Sequence, residues 1–396
     1  MSDLKPFLYE TSSSRVYLDH NATTPLAKSV AEKVPEWLSQ WGNPSSIHMD
    51  GRGPKQLVRE SRLKLSKMLN AHPLELIFTS GGSESNNTVI KGVFEHMKSL
   101  GRDEYLVGSL EHPSVIKAYE RLKAWGAKVI TIPVKPSGLV DMQVYEKHLS
   151  EKTALVSFMY ANNETGIIFP IAEMCKMAHA KGALFHCDAV QALGKVSFDL
   201  KQLGVDFASF SGHKFYALKG IGLLYAKKGS PQISLIDGGA QERRRRAGTE
   251  NTLAIASFGT MAEFTGEVSQ RSEAVQVLRD NMEKQICEQL DGVTVLCKEA
   301  QRLSNTSNIL LDGCDGESLL MNLDMQGFSV STGAACSSGS MDPSPVLLAL
   351  GLSRDQAQSS LRLGLGWGTT QQDIDHFVET LIPIVHRLRE LKQKSG

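Results

Sequence analysis

The chain has 396 residues, 41% hydrophobic and 22% charged, with 43 Lys plus Arg balanced by 43 Asp plus Glu. A formally neutral chain of this make-up is not built to coat nucleic acid or an anionic membrane, and it lies far from the composition of a disordered one. No apolar run approaches the 18 or so residues that span a bilayer. The N-terminal MSDLKPFLYETSSSR, with Asp3 and Glu10, has no apolar core of a signal peptide, so a cytoplasmic enzyme of about two domains is expected.

From about residue 74 to 225, short β-rich runs alternate with helical stretches. Strands are expected at 76–80, 104–108, 128–132, 153–160, 183–187, 207–210 and 222–226, with helices at 83–100, 113–125, 141–149 and 171–181. The alternation predicts a mostly parallel α/β sheet covered on both faces, with ligands beyond the carboxyl ends of its strands. After Thr249 the rhythm changes to one long helix over 251–290, strands near 293–297 and 307–311, and helices near 316–324, 344–350 and 371–393. This predicts a large domain over 15–258 and a smaller α+β domain over 259–396, with residues 1–14 joined to the second.

The six cysteines, Cys175, Cys187, Cys287, Cys297, Cys314 and Cys336, form no C-x-x-C pair and fit no common zinc or iron–sulfur ligand spacing. Five are expected as buried free thiols; Cys336, in STGAACSSGS, is expected on an exposed loop. Neither a P-loop nor a dinucleotide fingerprint is present. The N-x-[ST] matches at Asn21, Asn86 and Asn305 are read as chance. Arg243 to Arg246 is read as a solvated basic patch, of which one member could meet a phosphate.

Three positions point to one chemistry. Gly81-Gly82-Ser83, where a strand hands over to a helix, is either an anion site or a plain turn capped by Ser83. Asp188 ends a central strand and either holds a cationic ring nitrogen or caps the next segment. Lys214, in FASFSGHKF just past another strand, is either a Schiff-base amine or a surface lysine. Together, a phosphate cradle, a pyridinium partner and an imine-forming lysine are what pyridoxal phosphate requires. His112 beyond its strand either stacks on such a ring or is structural. Arg362 either clamps a carboxylate or forms an ion pair.

The ordered motifs VYLDHNATTP (16–25), GNPSSIH (42–48), FTSGGSESNN (78–87), EHPSV (111–115), ANNETG (161–166), HCDAVQALGK (186–195), SGHKF (211–215), RAGTEN (246–251) and STGAACSSGS (331–340) resemble the cysteine desulfurases. These are fold-type I pyridoxal-phosphate enzymes of the class V aminotransferase family. The resemblance implies a seven-stranded sheet and an imine between Lys214 and the cofactor. It implies that Asp188 keeps the ring nitrogen protonated, that Gln191 and Asn163 bond the phenolic oxygen, and that His112 stacks on the ring and assists proton transfer. Gly82, Ser83, Ser211 and His213 would hold the phosphate. Thr249 would reach the phosphate of a second subunit, making a homodimer with composite sites. Arg362 would bind the carboxylate of L-cysteine, with Asn43 helping to place it. Cys336 would be the nucleophile, deprotonated by substrate or His112, and its persulfide would pass to a sulfur acceptor or iron–sulfur scaffold protein. A selenocysteine lyase or another class V enzyme is the alternative. Ala217-Leu218 stands where relatives have Gly-Pro, and Trp367-Gly368 where they have Arg and a bulky residue. The ending RLRELKQKSG is read as lacking the C-terminal extension that helps dock the scaffold.

Overall fold

The computed structural model describes residues 7–9, 15–332 and 342–395. Its central sheet has seven strands in the spatial order Leu76–Thr79, Gly222–Ala226, Phe207–Ser211, Leu184–Asp188, Thr153–Met159, Glu104–Gly108 and Lys128–Ile132. Gly222–Ala226 runs against both neighbours, and the other ladders are parallel. The sheet is therefore mostly parallel, as the alternating pattern predicts.

Successive side chains along these strands enter two different apolar layers. Leu76, Phe78, Leu106, Val156 and Leu223 join one layer; Ile77, Tyr105, Val107, Leu155 and Leu224 join the other. Helices Gly82–Lys98 and Pro113–Ala124 cover the second layer through Val89, Ile90, Val93, Val115 and Leu122. Helices Ile171–Ala180 and Thr252–Met261 cover the first through Met174, Ala178, Ile255 and Phe258. Burial on both faces is why the central strands read as continuous apolar runs.

Two helical features differ from expectation. Met49–Met68 forms a helix of 20 residues that hydrophobic periodicity does not announce, because its buried face includes Gly51, Pro54, Ser61, Arg62 and Ser66. It approaches Thr252–Met261 so closely that a Cβ on Gly259 would lie 2.5 Å from Ser61 Cβ. On the same helix, buried Arg62 grips Glu242 through Nη2–Oε1 at 2.5 Å and Nη1–Oε2 at 2.9 Å. The expected single helix over 251–290 is instead Thr252–Met261, a 3₁₀ segment Ala262–Glu267 and Val268–Gln289. Within the break, Thr265 Oγ1 donates to the Ala262 carbonyl at 2.6 Å, a local bond of the kind that bends helices, next to Gly266.

A separate apolar cluster lies between the antiparallel strands Ser360–Gly364, Thr306–Leu311 and Val293–Val295 and the helices Val268–Gln289, Gly316–Met325 and Gln371–Ser395. Val16–Tyr17 pairs in parallel with Phe328–Ser329, and Leu18 enters this cluster. Residues 19–24 then cross toward the large sheet, where the Thr24 N–H donates to the His213 carbonyl at 2.9 Å. Among the described residues, no helix is long and apolar enough to cross a membrane.

Two buried imidazoles make this fold sensitive to acid. His186 sits inside the sheet with its ring nitrogens 3.0 Å from Ser157 Oγ and 3.0 Å from Ser209 Oγ. Burial pushes its pKa from 6.5 down to about 3. For His20, burial outweighs the bond to the Gly364 carbonyl and, with Lys195, brings the pKa to about 4. The native state thus refuses a proton that the unfolded chain accepts below its ordinary value of 6.5. The contribution to stability is complete above that pH and is lost as pH falls toward the folded values. Acidification from pH 7 to 5 is expected to lower the unfolding free energy by roughly 1–2 kcal/mol per imidazole, read by denaturant titration. His186→Asn should flatten that slope; an unchanged slope would mean that folded His186 takes up the proton.

Candidate active site

The segments that follow five of the sheet strands line one cavity of about 190 Å³. Gly82 and Ser83 come from the end of Leu76–Thr79, His112 from Glu104–Gly108 and Asn163 from Thr153–Met159. Asp188 and Gln191 lie at and beyond Leu184–Asp188, and Ser211, His213 and Lys214 at and beyond Phe207–Ser211. Nine of the thirteen residues singled out from sequence thus share a single cavity at the carboxyl edge of the sheet.

One end of the cavity suits an anion. The helix Gly82–Lys98 begins there, so its first N–H groups and positive dipole end face the space. A Cβ on Gly82 would come 2.5 Å from Val190 Cγ2, so glycine is what lets the backbone pack this closely. Glu84 in the first turn would oppose an anion, but Arg246 Nε meets its Oε1 at 3.0 Å and the Ser80 N–H its Oε2 at 2.8 Å. Burial alone would raise this carboxyl; the bonds from Arg246 and Ser80 outweigh it and hold the pKa below the usual range. The arginine run is therefore not uniformly solvated. Arg246 neutralises Glu84, Arg245 donates to the Leu74 carbonyl at 2.7 Å, and Arg243 and Arg244 are exposed. His213 Nδ1 lies 3.1 Å from Thr23 Oγ1, and burial, followed by Lys214, Lys219 and Lys195, brings its pKa to about 4.

The other end is organised by Asn86. Its Nδ2 donates to Asp188 Oδ2 at 2.7 Å and to Ser114 Oγ at 2.9 Å. The second oxygen, Asp188 Oδ1, accepts the Val190 N–H at 3.0 Å. Ser114 Oγ, accepting from Asn86, has its own hydrogen for His112 Nδ1 at 2.8 Å, which also receives the Ser114 N–H at 3.1 Å. With Nδ1 used as an acceptor, the proton of neutral His112 belongs on Nε2. Burial, opposed by Asp188 and aided by Lys214, holds the His112 pKa below its ordinary value. In this tautomer the imidazole gives a proton from Nε2 and has no free lone pair there to take one.

Lys214 is aimed by carbonyls. Its Nζ donates to the Asn21 oxygen at 2.5 Å and the Ala22 oxygen at 2.6 Å. The Asn21 carbonyl also accepts Gln191 Nε2 at 3.0 Å. Asn21 Nδ2 donates to the Asn163 carbonyl at 3.1 Å and to Thr306 Oγ1 at 2.8 Å, while its Oδ1 accepts Asn305 Nδ2 at 2.8 Å. Asn21, Asn86 and Asn305, set aside in the sequence as chance glycosylation matches, all belong to the network around this cavity. The available signal was an amide one turn ahead of the apolar Val89, Ile90 and Val93 on the same helix at Asn86, and a polar run directly after the apolar Leu18 at Asn21.

The remaining expected residues lie elsewhere. Arg362, fully buried in Ser360–Gly364, is outside this cavity; its Nη2 donates to Asp19 Oδ1 at 2.7 Å and its Nε has no hydrogen-bond partner among the described residues. Thr249 and Asn43 are exposed and also outside the cavity, Asn43 Oδ1 accepting the Ser45 N–H at 2.8 Å. Cys336 lies outside the described residues. Cys175, Cys187 and Cys314 are buried, but Cys297 is only partly so and Cys287 is exposed, correcting the expectation of five buried thiols. Cys287 falls on the outer face of Val268–Gln289 beside exposed Lys284 and Glu288.

The two divergent dipeptides have local explanations. The Leu218 N–H donates to Ser257 Oγ at 3.2 Å, a bond that proline could not make. Trp367 stacks on Tyr216 at 5.1 Å between centroids, and its Nε1 donates to the Gly194 carbonyl at 2.9 Å. A Cβ on Gly368 would lie 2.4 Å from Leu8 Cδ1.

The model of the family described as Aminotransferase class-V matches residues 16–377. A cysteine desulfurase IscS of Dictyoglomus turgidum is 40% identical over 378 residues, covering 95% of this chain and 96% of that one. A cysteine desulfurase of Cereibacter sphaeroides is 41% identical over 380 residues, covering 95% and 97%. Among solved structures, a NifS-like protein superposes with a TM-score of 0.88 at 34% identity over 94% of this chain and 100% of its own. SspA in complex with cysteine superposes with a TM-score of 0.78 at 31% identity over 89% and 99%. The chain belongs to the class-V aminotransferase family and is similar, over nearly its whole length, to cysteine desulfurases.

Proposed function

We propose that this protein is a pyridoxal-phosphate-dependent cysteine desulfurase that converts L-cysteine to L-alanine and retains the sulfur as a persulfide on Cys336. One observation carries the reading: Lys214, Asp188 and His112 share a cavity with the start of the helix Gly82–Lys98 in a chain similar throughout to cysteine desulfurases. The residues fit that cofactor. Bare helix N–H groups, Ser83 and Ser211 suit its phosphate, the doubly anchored Asp188 carboxylate suits a protonated ring nitrogen, and an amine stands where its aldehyde must react.

When bound, the cofactor supplies an electron sink that weakens the substrate bonds at Cα and Cβ. Asp188, kept in register by Asn86 and the Val190 N–H, would hold the ring nitrogen protonated. Gln191 and Asn163 would bond the phenolic oxygen, with Gln191 Nε2 as a donor. Lys214, guided by the Asn21 and Ala22 carbonyls, takes the Cα proton and delivers it again. His112 would stack on the ring and could give a proton from Nε2, so the base for Cys336 would be the substrate amine or another group. Arg362 binds the substrate carboxylate, its buried guanidinium steadied by Asp19. The Cys336 thiolate attacks the substrate sulfur, a new S–S bond forms and the Cβ–S bond breaks. The bonding pair stays with the carbon skeleton, which is protonated to L-alanine. The Cys336 sulfur is oxidised to the persulfide level as Cβ is reduced, so no outside oxidant is needed.

Thr249 and Asn43, on the surface away from their own cavity, act on a second subunit's phosphate and substrate, in a homodimer. The division at about residue 258 leaves the cofactor cavity on the larger unit and Arg362 and Cys336 on the smaller. The persulfide passes to a scaffold or acceptor protein of iron–sulfur or thio-cofactor assembly, in the cytoplasm.

With L-cysteine and a reductant, the wild type is expected to form alanine, and Cys336→Ser to keep the visible absorbance of the bound cofactor but form none. Equal alanine from both proteins would contradict a role for that thiol and favour a lyase. Asn86→Ala removes a hydrogen bond to a charged group worth about 1.5–3 kcal/mol, so turnover should fall roughly ten- to a hundredfold with cofactor still bound. Unchanged turnover would refute the role of Asn86 in holding Asp188 and His112.

A further inference from the structure

A second lysine lies beside Lys214. Lys195, fully buried, lines the same small cavity as Lys214, together with His20 and Gly194. Its Nζ donates to Gln191 Oε1 and sits 3.5 Å from Asn21 Oδ1. Both acceptors are amide oxygens, not carboxylates, so this lysine is not there to neutralise a buried charge. Lys195 acts as the donor in this contact, so the Gln191 atom facing it is the amide oxygen. That leaves Gln191 Nε2 on the other side of the amide, where it donates to the Asn21 carbonyl at 3.0 Å, on a residue that lines the cofactor cavity. Without Lys195, nothing among these contacts distinguishes the two ends of the Gln191 amide except the Asn21 carbonyl.

We propose that Lys195 is a positioning residue that fixes the Gln191 amide with Nε2 toward the cofactor cavity and, through Asn21, stabilises the carbonyl that aims Lys214. The inference rests on the cofactor reading given above. Its electrostatic setting is cationic on every side. Lys214 follows Phe207–Ser211, Arg362 lies in Ser360–Gly364, and both act with burial to hold Lys195 well below the usual lysine range. His20 and His213, which Lys195 in turn disfavours as cations, are the titratable groups from the crossing segment and the lysine loop. On the helix Val268–Gln289, whose Ser272 Oγ donates to the Lys195 carbonyl at 2.9 Å, the nearby Arg271 is paired with Glu267 at 2.6 Å.

The test is a pH titration of the visible absorbance band in the cofactor-loaded wild type, Lys195→Met and Lys195→Gln, with thermal unfolding as the folding control. Methionine removes the donor; glutamine keeps an N–H there without the charge. Loss of the Gln191 donor from the phenolic oxygen leaves more negative charge beside the imine nitrogen. The Lys195→Met midpoint should therefore move upward by about one pH unit, and Lys195→Gln should return toward the wild type. A wild-type midpoint in Lys195→Met overturns the proposal. Equal shifts in both variants also overturn it, since only the lost charge is common to them. If Lys195→Met does not fold, Lys195→Leu takes its place as the variant without a donor, with the same two outcomes. Absence of the band from the wild type itself would instead sink the cofactor reading, and this inference with it.

Discussion

The arrangement depends on how one buried asparagine spends its polar groups. Asn21 sits where the chain leaves the smaller apolar cluster, just after Leu18, and passes toward the large sheet. Its backbone oxygen accepts from Lys214 and Gln191, its Nδ2 donates to the Asn163 carbonyl and Thr306 Oγ1, and its Oδ1 accepts from Asn305. Each of these groups is buried or nearly so, and a buried polar group left unpaired costs about 1–3 kcal/mol. The asparagine therefore has little freedom to turn. Because Thr306 opens a strand of the smaller cluster and Asn305 directly precedes it, while Lys214, Gln191 and Asn163 line the cavity, one residue holds both in a common register through its backbone oxygen and its side chain.

The surrounding charges suit the cofactor proposed for this cavity. Lys214, Lys195 and Arg362 gather near Asn21, and each lysine's hydrogen bonds there go to amide or peptide oxygens. His20 and His213 are kept neutral by burial and by these cations. Arg246 cancels the one carboxylate in the first turn of the helix Gly82–Lys98. Desolvated positive groups of this density repel one another, and an anion that enters among them relieves the repulsion. At the opposite side Asp188 has fixed donors on both oxygens, which suits a partner for a cationic ring nitrogen. The cavity is polarised from end to end, and so is a phosphate-bearing pyridine.

Much of this was legible in the sequence. Strands buried on both faces announce themselves as apolar runs, so the sheet from Leu76–Thr79 to Gly222–Ala226 could be read almost strand by strand. The polar residues just past those strands, Ser83, His112, Asp188 and Lys214, stood out because an apolar strand gives way abruptly to groups with chemistry. What could not be read were contributions made through the backbone or through small residues. Asn21 aims Lys214 with a peptide carbonyl, which every residue type carries. Met49–Met68 packs with Gly51, Pro54 and Ser61, so its apolar stripe is faint. The break at Ala262–Glu267 turns on a threonine hydroxyl bonding its own backbone, a choice that competes closely with continued helix.

The account stands or falls on which amine reacts with the proposed cofactor, because two lysines, Lys195 buried and Lys214 partly exposed, meet at Asn21. Borohydride reduction of the loaded protein, digestion and mass spectrometry would locate the trapped pyridoxyl group on a single peptide. All of the label on Lys214 is the result this geometry requires. Label on Lys195, or on no lysine of the cavity, would contradict it.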